Sequence, residues 1–453
     1  MDWLLCVIMP QSDSTDSLEI GLTSLRIRAC RLLWLEPFWL ALLGPLVLLP
    51  GRWLPPTGQP WVIFGLLLFP ALRLLLGSVR PVLHSPLTAP IVLILLWLPV
   101  NIWAAPDLQL AWSTAGYLLY GIAWYGALVR WPPARRQPAW IAGLLLLAGC
   151  GLALVAPPFI LWKPQFRLFY LPLYDWLETI HIDVGEAIHA NILAAVLVFV
   201  APLLLALLLH PWRAGQRISA GRGRRLLLGL RLLLGLFFVY VTGLLVLTQS
   251  RGGLLAAAVT LPLTVLLRWP RLWRLAPLAV GLAVFAVWWF GPSVIAEELS
   301  RDGSLGGWQG RLDVWNFSLM ALHDFVFTGI GIGAFPVTLP LLYPLPFDVT
   351  GFPHAHNLFL QVGLDLGLPG LIAYLALILN LFVMAVSLLR RPYLPALART
   401  LAAGASAALV ALLVHGLVDA AAWGVKLAFL PWMLFALITT LYLCAVCTPG
   451  SSG

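Results

Sequence analysis

The chain has 453 residues, 61% of them hydrophobic and 10% charged, with a formal net charge of +9. No water-soluble core hides that much apolar surface, because a soluble domain of this length needs a polar exterior. The basic residues sit in short loops between apolar runs, which points to membrane topology and away from nucleic-acid binding.

Residues 1–30 carry Asp13, Asp16 and Glu19, and their early apolar run is short and lacks a preceding positive charge. They read as a cytoplasmic N-terminal segment and not as a cleaved signal peptide. Beyond them, apolar runs of roughly 17 to 23 residues recur almost without pause, the length a bilayer-crossing helix needs. Candidate spans in the first half are 34–50, 61–76, 87–104, 110–129, 139–157 and 191–209. The second half adds 226–248, 252–267, 275–294, 368–389, 401–418 and 427–446. The expected fold is all-α, a polytopic transmembrane helical bundle of about 12 spans with a long outer-face loop bearing short helices. One transmembrane domain covers 31–449, and 450–453 form a C-terminal tail; no linker, repeat or appended soluble domain interrupts it.

Counting loops alternately puts Arg26, Arg28, Arg31, Arg80, Arg130, Arg135 and Arg136 on one side. The cluster from Arg213 to Arg225, then Arg268, Arg271, Arg274, Arg390, Arg391 and Arg399, falls on the same side. By the positive-inside rule that side is cytoplasmic, as are both termini, in an inner or plasma membrane. The opposite loops hold only Arg52, Lys163, Arg167, Arg251, Arg301, Arg311 and Lys426, together with nearly every acidic residue beyond Glu36. Two of these outer loops are long, at about 158–190 and 295–353, and give chemistry room outside the bilayer. The cysteines are Cys6, Cys30, Cys150, Cys444 and Cys447, none in an outer segment, so no structural disulfide is expected. Cys444 and Cys447 form a CxxC inside the last apolar run, where helix packing is the better account than metal binding.

Three features on the outer side place ionisable groups at helix ends. Thr248, Gln249, Ser250, Arg251, Gly252 and Gly253 make a polar hairpin between two apolar runs. A snorkelling arginine at an interfacial turn explains that hairpin as well as a ligand site does, although the glycines let a ligand approach the backbone. In the second feature, Arg311 and Trp315 share a face if helical, either as a ligand site or as a stacked pair on a surface helix. The glycines at Gly329, Gly331 and Gly333 do not fit a dinucleotide fingerprint and read as a flexible turn. The third feature runs from His354 to Gly370 and leads straight into a membrane helix. His354 and His356 lack a clustered cysteine or further histidine, so no metal is expected; a neutral imidazole acting as proton acceptor competes with a simple helix cap.

Together these features resemble the O-antigen ligase and polymerase superfamily of GT-C type membrane glycosyltransferases. The ligase pattern of His, a small amide or hydroxyl residue, nine residues, Gly, two residues and Gly is matched by His356, Asn357, Gly367 and Gly370. Ser250 to Gly252, Arg311 with Trp315, and the Gly-Ile-Gly turn before Phe335 follow in the family's order. The resemblance spans about 185–420, from the His189-Ala190-Asn191 entry of the sixth span to His415 and Asp419.

The resemblance implies transfer of a glycan from a polyprenyl-pyrophosphate carrier, of the undecaprenyl type, to a lipid or glycan acceptor hydroxyl on the outer face. It implies His356 as base and Arg251 and Arg311 as pyrophosphate ligands, with Asn357, Trp315 and His354 lining the substrate site. Asp365 or Asp419 would orient an imidazole. Guanidinium groups bind a pyrophosphate bidentately and do not deprotonate, so no cofactor or metal is expected. The rival reading is a transporter or flippase for a lipid-linked or small anionic substrate, which predicts midplane charges and inverted repeats. Neither is evident in the sequence.

Overall fold

The computed structural model describes residues 33–50, 52–53, 55–75, 85–162, 173–183, 188–212, 220–275, 277–278, 281, 284–285, 288–289, 291, 308–343 and 354–447. The expected segments 1–30 and 450–453, most of the ninth span, and parts of both long loops (163–172, 184–187, 295–307 and 344–353) lie outside these residues.

Helices dominate, as the hydropathy requires. The first half contains α1 (Glu36–Leu48), α2 (Gln59–Leu66), α3 (Leu68–Leu75), α4 (Thr88–Ala104), α5 (Leu108–Arg130), α6 (Pro132–Arg136) and α7 (Ala139–Val155). There follow α8 (Leu173–Thr179), α9 (Ala190–Leu208), α10 (Ala220–Leu247), α11 (Arg251–Arg268), α12 (Trp308–Asp324) and α13 (Phe335–Leu342). The last three are α14 (Leu358–Leu389), α15 (Ala396–Gly416) and α16 (Phe429–Cys447). One departure from an all-helical chain is a two-residue parallel pairing of Ile160–Leu161 with Ile188–His189.

Among the described residues, six helices are long and apolar enough to cross a membrane: α9, α10, α11, α14, α15 and α16. Apart from the ninth, the other expected spans are shorter apolar helices, or, in α5, a long helix whose tyrosines and hydroxyl residues lower its hydropathy. The expected long loop does bear short helices, α12 and α13. At the centre is α9, 83% buried and packed against α7, α10, α11 and α15, whereas α10 is only 17% buried and turns its leucines outward. An apolar helix with exposed leucines is stable only in lipid, so this contrast orders the bundle from axis to lipid-facing rim.

The loops segregate. Those with acidic residues touch one another at one end: Asn357 Nδ2 donates to the Leu417 carbonyl at 3.0 Å, and Tyr174 Oη to the Leu247 carbonyl at 2.7 Å. The basic loops meet at the other end, where Glu36 pairs with Arg73 and Arg130 and Arg391 donates to the Ala445 carbonyl. This separation is what the alternating charge pattern demands.

α14 is interrupted at Gly367, where φ is 65° and ψ is −176°. The residue after it, Leu368, donates its N–H to the Val326 carbonyl at 2.7 Å, while Ile330 N–H goes to Leu364 O at 2.8 Å. Trp97 Nε1 donates to Leu366 O at 2.9 Å. A Cβ at Gly367 would lie 2.0 Å from Phe327 O, so only glycine permits the crossing. The expectation of a flexible glycine turn is corrected here. Gly329, Gly331 and Gly333 all have positive φ, and added Cβ atoms would strike Leu364 O at 2.2 Å, the Ala105 backbone at 2.5 Å and Thr114 Oγ1 at 2.3 Å. That turn is wedged against α4, α5 and α14, with glycine needed for contact and not for mobility.

Candidate functional site

Site residues reach one another through local devices legible in the chain. Asn357 caps α14: its Oδ1 accepts from Phe359 and Leu360 N–H at 3.0 and 3.1 Å. Its Nδ2 ties the same corner to Leu417, so this amide helps build the corner. Immediately before it, His356 adopts φ of 49°, a left-handed turn that costs a β-carbon residue energy and marks a constrained position. The turn is held from two directions. Ala355 donates its N–H to Gln361 Oε1 at 2.8 Å, and its carbonyl accepts from Trp315 Nε1 at 3.0 Å. Trp315 therefore positions the histidine loop against α12.

The two imidazoles meet edge to face with centroids 4.5 Å apart. His354 Nδ1 accepts the His356 N–H at 3.2 Å, so the neutral His354 ring carries its proton on Nε2. That Nε2 faces Asp419 Oδ1 at 3.8 Å. Asp419 is 4% exposed and is fixed in its turn by the Ala421 N–H at 2.9 Å. Nδ1 of His354 is thus engaged by the loop backbone, while its Nε2 lies near the Asp419 carboxylate but beyond hydrogen-bond distance.

Burial pushes the His356 imidazole down to about 3, with the neighbouring His354 and Arg311 acting in the same direction and Asp419 against them. His354 is lowered for the same first reason. Burial works to raise Asp419, but the imidazoles of His354, His415 and His356 outweigh it and hold its carboxyl below the usual value. The resting cluster therefore pairs neutral imidazoles with a carboxylate.

Arg311, on the first turn of α12, stands within electrostatic range of both loop histidines. Arg251 opens α11, whose N-cap Ser250 accepts from the Gly253 N–H at 3.2 Å. Its neighbour Gly252 packs on the Asp419 corner: a Cβ there would lie 2.5 Å from Val418 and 3.5 Å from the His415 ring. Arg311 thus stands beside the corner that holds His354, His356 and Asp419, and the backbone at the start of α11, next to Arg251, packs on it. The hairpin of Arg251 is itself braced by Gln249, which has φ of 49° and donates to Tyr174 Oη at 2.8 Å.

Asp365 is elsewhere. Its carboxylate accepts from Trp423 Nε1 at 2.8 Å, Gly333 N–H at 3.1 Å and Gln361 Nε2 at 3.0 Å. It locks the glycine turn to α14 and Trp423, and the expectation that it orients an imidazole is corrected accordingly. Sequence reasoning gave no site role to His415, which is buried with Nε2 lacking a hydrogen bond among the described residues, or to Lys426. Lys426 lines an apolar cavity of ≈ 440 Å³ that reaches His354 between α5, α7 and α9. Asp419 also adds what the local sequence lacked for a metal site, a third ligand-type atom within 4.8 Å of the two histidines. Two nitrogens and a carboxylate suit a divalent ion by donor type, but the Arg311 charge beside them opposes a dication.

A rim of lipid-facing helices around a buried His, Asp and Arg corner defines a multi-pass membrane protein with a polar site at one end of its bundle. Residues 236–375 match the family model described as O-antigen ligase, and this supports assignment of the chain to the O-antigen ligase/polymerase family. The matched stretch is narrower than the expected core of about 185–420; it includes Arg251, Arg311 and His356 and ends before His415 and Asp419. No curated protein matches the chain.

Proposed function

We propose that the chain transfers a glycan from a polyprenyl-pyrophosphate carrier to a lipid or glycan acceptor at the outer membrane boundary, without a metal. The observation that supports this reading is the cluster of His354, His356 and Asp419 beside Arg311, with the start of the Arg251 helix packed on the same corner through Gly252. Arg251 and Arg311 take the pyrophosphate oxygens as charge-assisted donors. His356 accepts the proton of the acceptor hydroxyl while that oxygen attacks the anomeric carbon. The bond from that carbon to the phosphate oxygen breaks, and the departing pyrophosphate keeps the electron pair, stabilised by the two guanidiniums. Asp419 holds the proton-bearing Nε2 side of His354 and so fixes the loop that presents His356. Direct displacement inverts the anomeric centre.

Arrival of the anionic donor raises the basicity of His356, since the Arg311 charge that adds to the effect of burial becomes neutralised. The transporter alternative has less support, because the ionisable groups named here lie at one end of the bundle. Reconstituted wild-type protein, given a lipid-linked glycan, candidate acceptors and excess chelator, is expected to turn over. Loss of turnover on chelation, restored by a divalent ion, contradicts the metal-free reading and turns the His354, His356 and Asp419 group into a metal site.

A further inference from the structure

A second buried charge cluster sits at the opposite end of the bundle and takes no part in the transfer. Glu36, in the first turn of α1, pairs through one carboxylate oxygen with Arg73 from the last turn of α3. Its other oxygen lies 3.4 Å from Nη2 of Arg130, the final residue of α5. Glu36 is 2% exposed and Arg73 is 8% exposed. Two guanidiniums thus share one carboxylate, and arginine does not escape burial by losing its proton. Among the described residues, neither Arg73 Nε nor Arg130 Nε has a hydrogen-bond partner. Such a surplus of positive charge demands a further anion.

Arg130 also forms the polar end of an apolar groove of ≈ 260 Å³ between α2, α3, α4 and α5. Leu66, Pro70, Ile91 and Leu95 line its length, while Leu67 and Val92 are exposed at its rim, so it opens sideways on the bundle flank. Ser85 and Tyr125, whose hydroxyls are 2.6 Å apart, stand beside Arg130 at the polar end. Gly126 makes space for the guanidinium, since a Cβ there would lie 2.6 Å from Arg130 Nη2.

We propose that this groove binds an anionic glycerophospholipid whose single phosphodiester charge rests against Arg130 and Arg73, with an acyl chain along the apolar wall. Charge decides the class: one phosphodiester neutralises the surplus left by Glu36, whereas a zwitterionic lipid brings no net negative charge. Position agrees, because the basic loops lie at this end and basic pockets between membrane helices on that side take anionic headgroups. The hydroxyls of Ser85 and Tyr125 suit a glycerol backbone.

The test titrates purified, delipidated full-length protein with phosphatidylglycerol and with phosphatidylcholine, reading bound lipid by native mass spectrometry. Wild type is expected to prefer phosphatidylglycerol by about tenfold or more, the factor that one charge-assisted contact supplies. Arg130→Gln is expected to remove that preference, and so is Gly126→Leu, which displaces the guanidinium while keeping every charge. Equal affinity of wild type for the two lipids overturns the proposal whether or not the variants fold. Displacement of phosphatidylglycerol by millimolar inorganic phosphate also overturns it, since the site would then recognise a free anion.

Discussion

The two buried charge clusters at opposite ends of this bundle solve the same problem differently. At the acidic-loop end, His354 and His356 surround Asp419 and shed their charge on burial, so the corner holds together around neutral rings and one carboxylate. At the basic-loop end, Arg73 and Arg130 cannot shed theirs and depend on Glu36. The first arrangement is adjustable by protons and suits a group that must exchange one with a substrate. The second is a fixed electrostatic joint, useful for holding α1, α3 and α5 and for attracting an anion.

Breaking the comparison begins with the acidic-loop end. Arg311→Ala is expected to lower kcat/KM for glycan transfer by about 10² to 10³, the range for losing one preorganised donor to developing negative charge. Membrane insertion and expression should be intact; near-normal transfer by the purified variant would remove the pyrophosphate clamp. At the other end, Glu36→Ala leaves two guanidiniums buried together and should cost about 3 to 5 kcal/mol of stability in zwitterionic detergent. Thermal unfolding measures this, and a shift no larger than that of Asp419→Asn would dissolve the distinction between the clusters.

Asp419→Asn is expected to cost only about 1 to 2 kcal/mol, because its imidazole partners are neutral and the amide still accepts from Ala421. The smallest effect is on pH dependence. His356 must be unprotonated to act as base, and its lowered value puts the acidic limb of kcat/KM well below 6.5, toward about 3. An acidic limb at or above 6.5 contradicts the buried neutral base. The same shift has a sign for stability: the His356 contribution is complete above pH 6.5 and is lost as pH falls toward about 3, because unfolding then takes up protons.

Much of the fold was legible because hydropathy is a strong local signal and the charge alternation fixed which loops share an end. The number of crossings was less so, since α5 dilutes its apolar length with Tyr117, Tyr120 and Tyr125, and Pro70, which leaves the Leu66 carbonyl without its helical donor, splits the second apolar run into α2 and α3 at Leu67. Of the candidate site residues, Arg251, Arg311 and His356 stood out because polar groups at the ends of apolar runs are conspicuous. Asp365 misled for the opposite reason: its partners Gly333 and Trp423 are distant in sequence, and only packing shows that its carboxylate is spent on them. Trp315 shares a face with Arg311 as spacing implied, yet its indole N–H is used on the Ala355 carbonyl. His415 was overlooked because a lone histidine near the end of an apolar helix gives no local sign of what it meets.

The glycines of the ligase-like pattern illustrate how a motif can be structural and still serve a site. Gly367 lets α14 break against the Phe327 carbonyl, and the crossing seats the Gly329 to Gly333 turn that Asp365 then grips. The helix segment ahead of that break, from Leu358 to Leu366, carries the Asn357 cap and the left-handed His356 turn. Rigidity of the glycine turn is thus transmitted to His356 through two and a half turns of helix and one cap, a short lever with few soft dihedrals.

The most direct test of the account separates donor binding from proton transfer in His356→Ala. Purified variant and wild type, each loaded with a polyprenyl-pyrophosphate glycan, are compared for donor affinity and for single-turnover transfer to an acceptor. Affinity within about twofold, with transfer reduced by about 10² to 10⁴, is the result predicted for a lost general base beside an intact arginine clamp. Transfer at near the wild-type rate, with the imidazole gone, would contradict the central claim.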